Sequence, residues 1–313
     1  MQYTIGIDLG GTIIKIGLLK DSYLSENRTI KALSQSGLKI QLPELEKAID
    51  QMLQSQGITS KELLGIGFSF AGLVDSDKNV ILSTNQKYDD AVNIDLVAWA
   101  KEKWNLPLWV ENDARMALLG EWQHGNGKGY DDLVMLTYGT GIGSAVLMNG
   151  KLLHGKHFQS GNLGGHFVIN YDGKPCTCGG HGCVEAEASS WRLPSMIKEH
   201  PDYENSSLKE EGFPDYKILI THANNNDKVA KDILDKCLRI YTAGIISMIH
   251  AFDPEIIILG GGIMNSEIIL PELQSRIDKQ AWTPWGKVRL IRALHLDTAA
   301  LFGADYLVRS KIH

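Results

Sequence analysis

Apolar residues fall into short β-like runs, then recur at helical spacing, and this change of period repeats along the chain. Residues 3–9 (YTIGIDL) and 13–19 (IIKIGLL) are two β-rich runs joined at Gly10-Gly11, the pattern of a hairpin. Leu45, Ile49, Met52 and Leu53 recur at helical spacing and predict a helix over about 43–56, with Pro43 in its first turn. A buried strand over 64–70, a turn-rich stretch and a helix near 94–104 follow. Strand 106–110 then runs into Glu111-Asn112-Asp113, and 114–122 reads as helix. Strands alternating with helices predict an α/β fold.

A second set begins near residue 132. Strand 132–137 leads into a Gly-rich turn, strand 143–148 and Asn149-Gly150, a strong two-residue hairpin turn. Residues 155–190 are rich in Gly and Cys and too irregular for regular structure, and 200–215 reads as an exposed polar connection. A long helical pattern over about 227–252 stops at Asp253-Pro254. It precedes strand 255–259, Gly260-Gly261-Gly262, a helix near 267–279, strand 287–292 and a terminal helix from about 298. The two halves echo each other, since each holds a hairpin with a Gly-rich turn.

Composition narrows the picture. The chain has 313 residues, 43% hydrophobic and 22% charged, which suits a globular protein of two domains. No apolar run is long enough for a membrane helix, and the N-terminal residues move straight into an apolar strand without the basic region or cleavage site of a secretory leader. The net charge of −6 is spread along the chain without a basic stripe, which argues against a nucleic-acid partner. Four cysteines do not make a disulfide framework. These features predict a cytoplasmic protein.

Five constellations could carry chemistry. Asp8-Leu9-Gly10-Gly11-Thr12, followed by Lys15, places paired glycines between strands, where backbone N–H groups can approach an anion and Asp8 could hold hydrated Mg²⁺. A plain hairpin turn accounts for the glycines equally well. Neither a Rossmann nor a Walker loop is present. Tyr138-Gly139-Thr140-Gly141-Ile142-Gly143 repeats the pattern and suggests a second clamp on one phosphate chain. Gly260-Gly261-Gly262 could admit an adenosine or serve a tight strand-to-helix turn. Asp113, at a strand's C-terminal end, could accept a proton from an attacking hydroxyl, while Asn112 or Asp113 could equally be an N-cap. Last, His166, Cys176, Cys178 and Cys183 form the one-His, three-Cys set that closed tetrahedral zinc sites use, with Gly179, Gly180 and Gly182 letting the loop fold tightly. His181 is a rival ligand, and Cys237 sits at an apolar helix position.

In order and type these residues resemble the ROK family of sugar kinases and repressors. The match rests on Asp8-x-Gly-Gly-Thr-x-x-Lys15, Glu-Asn-Asp113, Gly139-Thr-Gly-Ile-Gly143 and His166…Cys-x-Cys-Gly-x-x-Gly-Cys-x-Glu185, and spans residues 5 to about 305. The resemblance implies a two-domain actin-like ATPase (ribonuclease H-like) fold. Its smaller domain would comprise residues 1–118 with the terminal helix of about 297–313, and its larger domain 119–296 with a zinc loop at 155–190. It further implies an ATP- and Mg²⁺-dependent kinase acting on the 6-hydroxyl of a hexose, glucokinase-like, and a homodimer. Asp113 would be the general base. Asn85, Asn112, Asn162, His166 and Glu185 would bind sugar hydroxyls. Asp8, Gly10, Gly11, Thr12, Lys15, Gly139, Thr140 and Gly141 would serve the phosphates, and Gly261 and Gly262 the adenosine. Zinc would be structural, with His166 binding it through one ring nitrogen and a sugar hydroxyl through the other.

One departure stands out. The family's Glu-x-Gly-His segment reads Gly161-Asn162-Leu163-Gly164-Gly165-His166 here, so the carboxylate is gone, and the loop from Asn85 to Asn93 offers Tyr88 where Trp is common. Losing a charge-assisted hydrogen bond is worth roughly 1.5–3 kcal/mol. Both changes lie on the sugar's side, which opens the alternatives of an N-acetylmannosamine or β-glucoside kinase. A sugar-sensing repressor of the same family is disfavoured, because no helix-turn-helix pattern precedes the first strand.

Overall fold

The computed structural model describes residues 2–84 and 86–312. In chain order the elements are β1 (Tyr3–Leu9), β2 (Ile13–Lys20), β3 (Tyr23–Lys31), α1 (Leu38–Gln56), β4 (Leu63–Phe70), β5 (Gly72–Asp75), β6 (Val80–Thr84), α2 (Leu96–Trp104), β7 (Leu108–Asn112) and α3 (Asp113–His124). Then come β8 (Leu133–Tyr138), β9 (Ile142–Met148), β10 (Lys151–Leu152), α4 (Val184–Ala188), α5 (Leu193–Lys198), α6 (Tyr216–Asn224) and α7 (Lys228–Phe252). The chain closes with β11 (Ile256–Gly260), α8 (Ile269–Gln280), β12 (Arg289–Arg292) and α9 (Ala299–Ile312).

Two compact units result. Unit 1 holds Met1–Gly129, His154–Ser160 and Asp297–His313, and unit 2 holds Tyr130–Leu153 and Gly161–Leu296. The sheet of unit 1 has the order β3-β2-β1-β4-β7, and that of unit 2 the order β10-β9-β8-β11-β12. Pairing matches as well as order. In each, an antiparallel meander opens the sheet and two parallel strands extend it from the meander's first strand. Parallel additions require crossover helices, which accounts for the near-continuous apolar runs of β4 and β11, covered on both faces.

Element ends follow local chemistry. Helix α1 starts at Leu38, well before Pro43, because Asp90 accepts the Leu38 and Lys39 amides at 2.5 and 2.9 Å. A distant carboxylate supplies the cap that the local sequence lacks, so Pro43 lies inside the helix. Asp95, Asp215 and Asp227 cap α2, α6 and α7 from their own N-cap positions. Strand β3, which the apolar pattern did not predict, is an edge strand with alternating exposed and half-buried residues. Leu208 is buried in the polar stretch read as exposed, and packs into the core under α6 and α7.

Unit 1 closes on its last helix. Helix α9 lies against β1, β4 and α3 through residues too small to hold them apart. A Cβ on Gly67 would fall 2.6 Å from that of Ala304. The contact with α3 is tighter still: a Cβ on Gly120 would lie 1.9 Å from the Ala299 carbonyl, and one on Gly303 would lie 1.8 Å from that of Met116. Backbone meets backbone there, and only glycine fits. Buried Thr4 donates to Asp305 at 2.6 Å, and Arg309 pairs with the same carboxylate at 2.8 Å. Gly303→Ala must push the helices apart, so we expect a loss of at least about 2 kcal/mol, the upper range of overpacking, measured by urea unfolding.

Candidate functional site

In unit 1 the chemistry gathers at the C-terminal ends of β1 and β7. Asn112 is the N-cap of α3: its side-chain oxygen accepts the Ala114 and Arg115 amides, and its amide donates to the Gly72 carbonyl at 3.0 Å and to Asp113 at 2.8 Å. Of the two candidates for the cap, Asn112 fills the role. Asp113 is the first helical residue, and its Oδ1 also accepts the Ala114 amide at 2.9 Å. Burial first, and then the charge of Asp8, push its carboxyl up to about 6, against the hydrogen bonds from Ala114 and Asn112 and the charge of Lys87. Burial likewise raises the Asp8 carboxyl, opposed by Lys15 and by the Ser69 hydroxyl, which donates at 2.9 Å. Two carboxylates held above their ordinary range, beside a glycine turn, suit a site that takes a cation and moves a proton.

The turn Gly10-Gly11-Thr12 joins β1 to β2. A Cβ on Gly10 would lie 2.4 Å from the Ile13 carbonyl. The Tyr88 hydroxyl donates to the Gly10 carbonyl at 3.1 Å, and Ser34 donates to that of Gly11 at 2.8 Å. Thr12 is exposed at the tip. Lys15, opposite Asp8 in register, sends its ammonium to Asp297, bonding the carbonyl at 2.7 Å. Asn85 lies outside the described residues.

Below Asn112 is an ion-pair network that the motifs did not reveal. Glu111 is buried and accepts from the Asn112 amide at 2.8 Å, with His154 Nε2 2.8 Å away and Arg115 Nη1 3.6 Å away. Arg115, fully buried, donates to the Phe158 and Ser160 carbonyls, both at 2.9 Å. The segment 154–160 is thereby fastened to unit 1. The only signal for this in sequence was the i, i+4 spacing of Glu111 and Arg115.

In unit 2, Gly139-Thr140-Gly141 turns between β8 and β9, closed by a 3.0 Å bond from the Gly139 amide to the Gly141 carbonyl. Glu185 reaches this turn. Its Oε2 accepts the Ile142 amide at 2.7 Å and lies 2.5 Å from where a Cβ on Gly141 would be. Gly261 has φ 91° and packs on Tyr138, whose carbonyl is 2.1 Å from a Cβ placed there, so the strand-to-helix turn requires this glycine. Gly262 faces open space.

The loop before His166 is pinned by buried Ser144, which donates to the Gly161 carbonyl at 2.8 Å and accepts the Gly164 amide at 2.7 Å. Asn162 and the exposed Leu163 project between these two anchors. His166 then meets the cysteines. One ligand atom from each of His166, Cys176, Cys178 and Cys183 falls within 4.8 Å of the others. Cys178 and Cys183 sulfurs are 3.7 Å apart, and Cys176 Sγ is 3.5 Å from His166 Nδ1. A tetrahedron with Zn–S of about 2.3 Å and Zn–N of about 2.0 Å has edges of about 3.8 and 3.5 Å, so donors and spacing both fit zinc. The Nδ1 atom faces the thiols, which leaves Nε2 to another partner. Bridges at Val168–Cys183 and Pro175–His181 shape the loop, and His181 is exposed outside the cluster. Cys237 is buried in the core.

Comparisons with known proteins place these features in a lineage. The model described as ROK family matches residues 4–311. The glucokinase of Thermotoga maritima is 30% identical over 98% of this chain and 98% of its own length. The xylose repressor of Bacillus subtilis is 29% identical over 91% of this chain and 71% of its own. Among solved structures, a ROK family glucokinase from Streptomyces griseus in complex with glucose and AMPPNP superposes with a TM-score of 0.80 at 27% identity, covering 98% of this chain and 99% of that one.

Two outcomes follow from the geometry. The folded pKa of Asp113, about 6, lies above the ordinary 3.8, so the folded protein binds the proton more readily between those values. Stability therefore rises as pH falls through that window, and the ionised carboxylate is destabilising at pH 7. Asp113→Asn removes that cost. Discounted for the side chain's remaining exposure, the gain at pH 7 is about 1–2 kcal/mol by denaturant unfolding, vanishing at pH 4. Metal analysis should find zinc in the purified wild type, and Cys178→Ser, which removes one of four donors, should retain less than a tenth of it, with a lowered melting temperature.

Proposed function

The chain belongs to the ROK family, and from that premise we propose that it is an ATP-dependent sugar kinase that phosphorylates the 6-hydroxyl of a hexose. The observation that carries the reading is Asp113, a carboxylate held at the start of α3 with its pKa pushed up to about 6, in the unit that also holds Asp8 and the Gly10-Gly11 turn. A base near neutrality can accept a hydroxyl proton and still be ionised at working pH. The relative named glucokinase, aligned end to end, supports the same chemistry.

In this mechanism Asp113 accepts the proton of the 6-hydroxyl as its oxygen attacks the γ-phosphorus of ATP. Asp8, whose carboxyl pKa is raised by burial, would hold Mg²⁺, which would supply charge neutralisation on the phosphates. Backbone amides of Gly10, Gly11, Thr12, Gly139, Thr140 and Gly141 serve the phosphates. Asn162 and His166 Nε2 serve sugar hydroxyls, and Gly262 the adenosine. Asn112 acts by fixing Asp113, since both ends of its amide are committed. Glu185 accepts the Ile142 amide with Oε2 and the Thr177 hydroxyl, at 3.4 Å, with Oε1, so only the remaining capacity of Oε1 would serve the sugar. Zinc would be structural there, because His166, Cys176, Cys178 and Cys183 would supply a full set of four protein ligands.

The sugar itself is where this chain departs from its relatives. With Leu163 exposed and Asn162 neutral four residues before His166, N-acetylmannosamine or a β-glucoside is the alternative substrate. A coupled ADP-release screen over hexoses, N-acetylhexosamines and glucosides tests the reading. At least one should be turned over, with the acid limb of the rate near pH 6. Asp113→Asn should lower kcat by about 10²–10⁴, the range for a positioned base. No ADP from any sugar, together with a sugar-dependent DNA mobility shift, would replace the kinase with a regulator, as the repressor relative suggests.

A further inference from the structure

We propose that Lys87 is a catalytic residue of the phosphoryl transfer, its ammonium holding the oxygens of the phosphoryl group in transit beside Gly11 and Asp113. The proposal rests on the kinase reading above and adds to it a residue outside the motifs.

Lys87 stands between two non-glycine residues in the left-handed region, Gln86 at φ 58° and Tyr88 at φ 56°. Such backbone persists only where the surroundings enforce it. Here they do. The Tyr88 amide donates to the Ser34 carbonyl at 2.7 Å, and its hydroxyl reaches the Gly10 carbonyl at 3.1 Å. Thr84 donates to Asp89 at 2.6 Å, and Asp90 holds the start of α1. The strained turn is thus tied to the glycine turn itself, and it aims one side chain at it. Lys87 Cε and Nζ each lie 2.7 Å from the point where a Cβ on Gly11 would stand. The missing side chain of Gly11 therefore makes room for a lysine end.

Charge completes the argument. The lysine's positive charge acts on Asp113 and offsets part of the repulsion from Asp8, so the ammonium lies within electrostatic reach of the base. Among the described residues it has no hydrogen-bonding acceptor of its own. A compact cation with three donors, held between a phosphate turn and a general base, is complementary to a phosphoryl group whose charge is spread over its equatorial oxygens. A sugar hydroxyl would need no such charge. In the step, the hydroxyl oxygen's lone pair forms the new O–P bond and its proton passes to Asp113. The bond from phosphorus to the bridging oxygen breaks, with its electrons leaving on ADP. Lys87 stays protonated throughout.

The test compares Lys87→Met, Lys87→Gln and Lys87→Arg in the full chain with wild type, by steady-state kinetics across pH and by calorimetric titration with MgATP and MgADP. Either neutral variant should lower kcat by about 10²–10³, the loss expected when a preorganised donor to the transition state is removed. Its acid limb should move to higher pH, because the charge that favours the Asp113 carboxylate is gone. Affinity for ATP should fall about tenfold while that for ADP stays within twofold, and arginine should restore part of both losses. A kcat within threefold of wild type, or ATP and ADP affinities falling together, would overturn the assignment. Should wild type release no ADP with any sugar, the kinase reading falls by itself, and the ATP-to-ADP comparison still decides whether Lys87 contacts the terminal phosphate. Two neutral variants guard against one that does not fold.

Discussion

The chemistry of unit 1 depends on where the first turn of α3 sits, and backbone contact with α9 sets that position. Gly120 and Gly303 let each helix rest on a carbonyl of the other, so α3 has no freedom to slide outward. Asn112 then fixes the β7–α3 junction, and Glu111 and Arg115 anchor it from beneath. Magnitudes decide the state of Asp113 at that junction. A helix N-terminus favours a carboxylate by roughly 0.3–1 kcal/mol, but a rise of about two pKa units corresponds to about 3 kcal/mol the other way before screening. Burial and the charge of Asp8 win, and the carboxyl is poised near neutrality by losing solvent.

Unit 2 couples its ligand loop to its glycine turn by one side chain. Glu185 follows Cys183 by two residues and bonds the Ile142 amide, so the turn and the Cys/His cluster share a short, buried connection. Ser144 supplies a second, pinning the loop on either side of Asn162 and Leu163. A metal that fixes Cys176, Cys178 and Cys183 would thereby also fix the turn between β8 and β9. The same ion would orient His166, because Nδ1 is the nitrogen facing Cys176.

Much of this could be read from local sequence, for physical reasons. The hairpins, the buried strands, the long α7 and the Cys/His cluster are encoded by periodicity or by close spacing, and the structure has them. What could not be read depends on partners far away in the chain. Helix α1 begins at Leu38 because Asp90 caps it from 51 or 52 residues away. Lys87 meets Gly11 through a loop whose strain no propensity predicts. His154 joins Glu111 from a segment flanked on both sides by unit 2. Strand β3 carries too little apolar character to announce itself, being an edge with one side in water.

The shared strand order of the two sheets invites the view that their glycine turns are equivalent, but the side chains that occupy them argue otherwise. At Gly11 the space a Cβ would fill holds the end of Lys87, while at Gly141 it holds a carboxylate oxygen of Glu185. A cation over a turn adds to the pull of its amides on an anion. A carboxylate over a turn opposes that pull, and Glu185 already takes up the Ile142 amide as well. Duplicated topology has therefore been given opposite electrostatics. On the proposed reading, the turn of unit 1 suits the oxygens that would gain charge during transfer, whereas that of unit 2 offers its amides to a phosphate only against the opposing charge of Glu185.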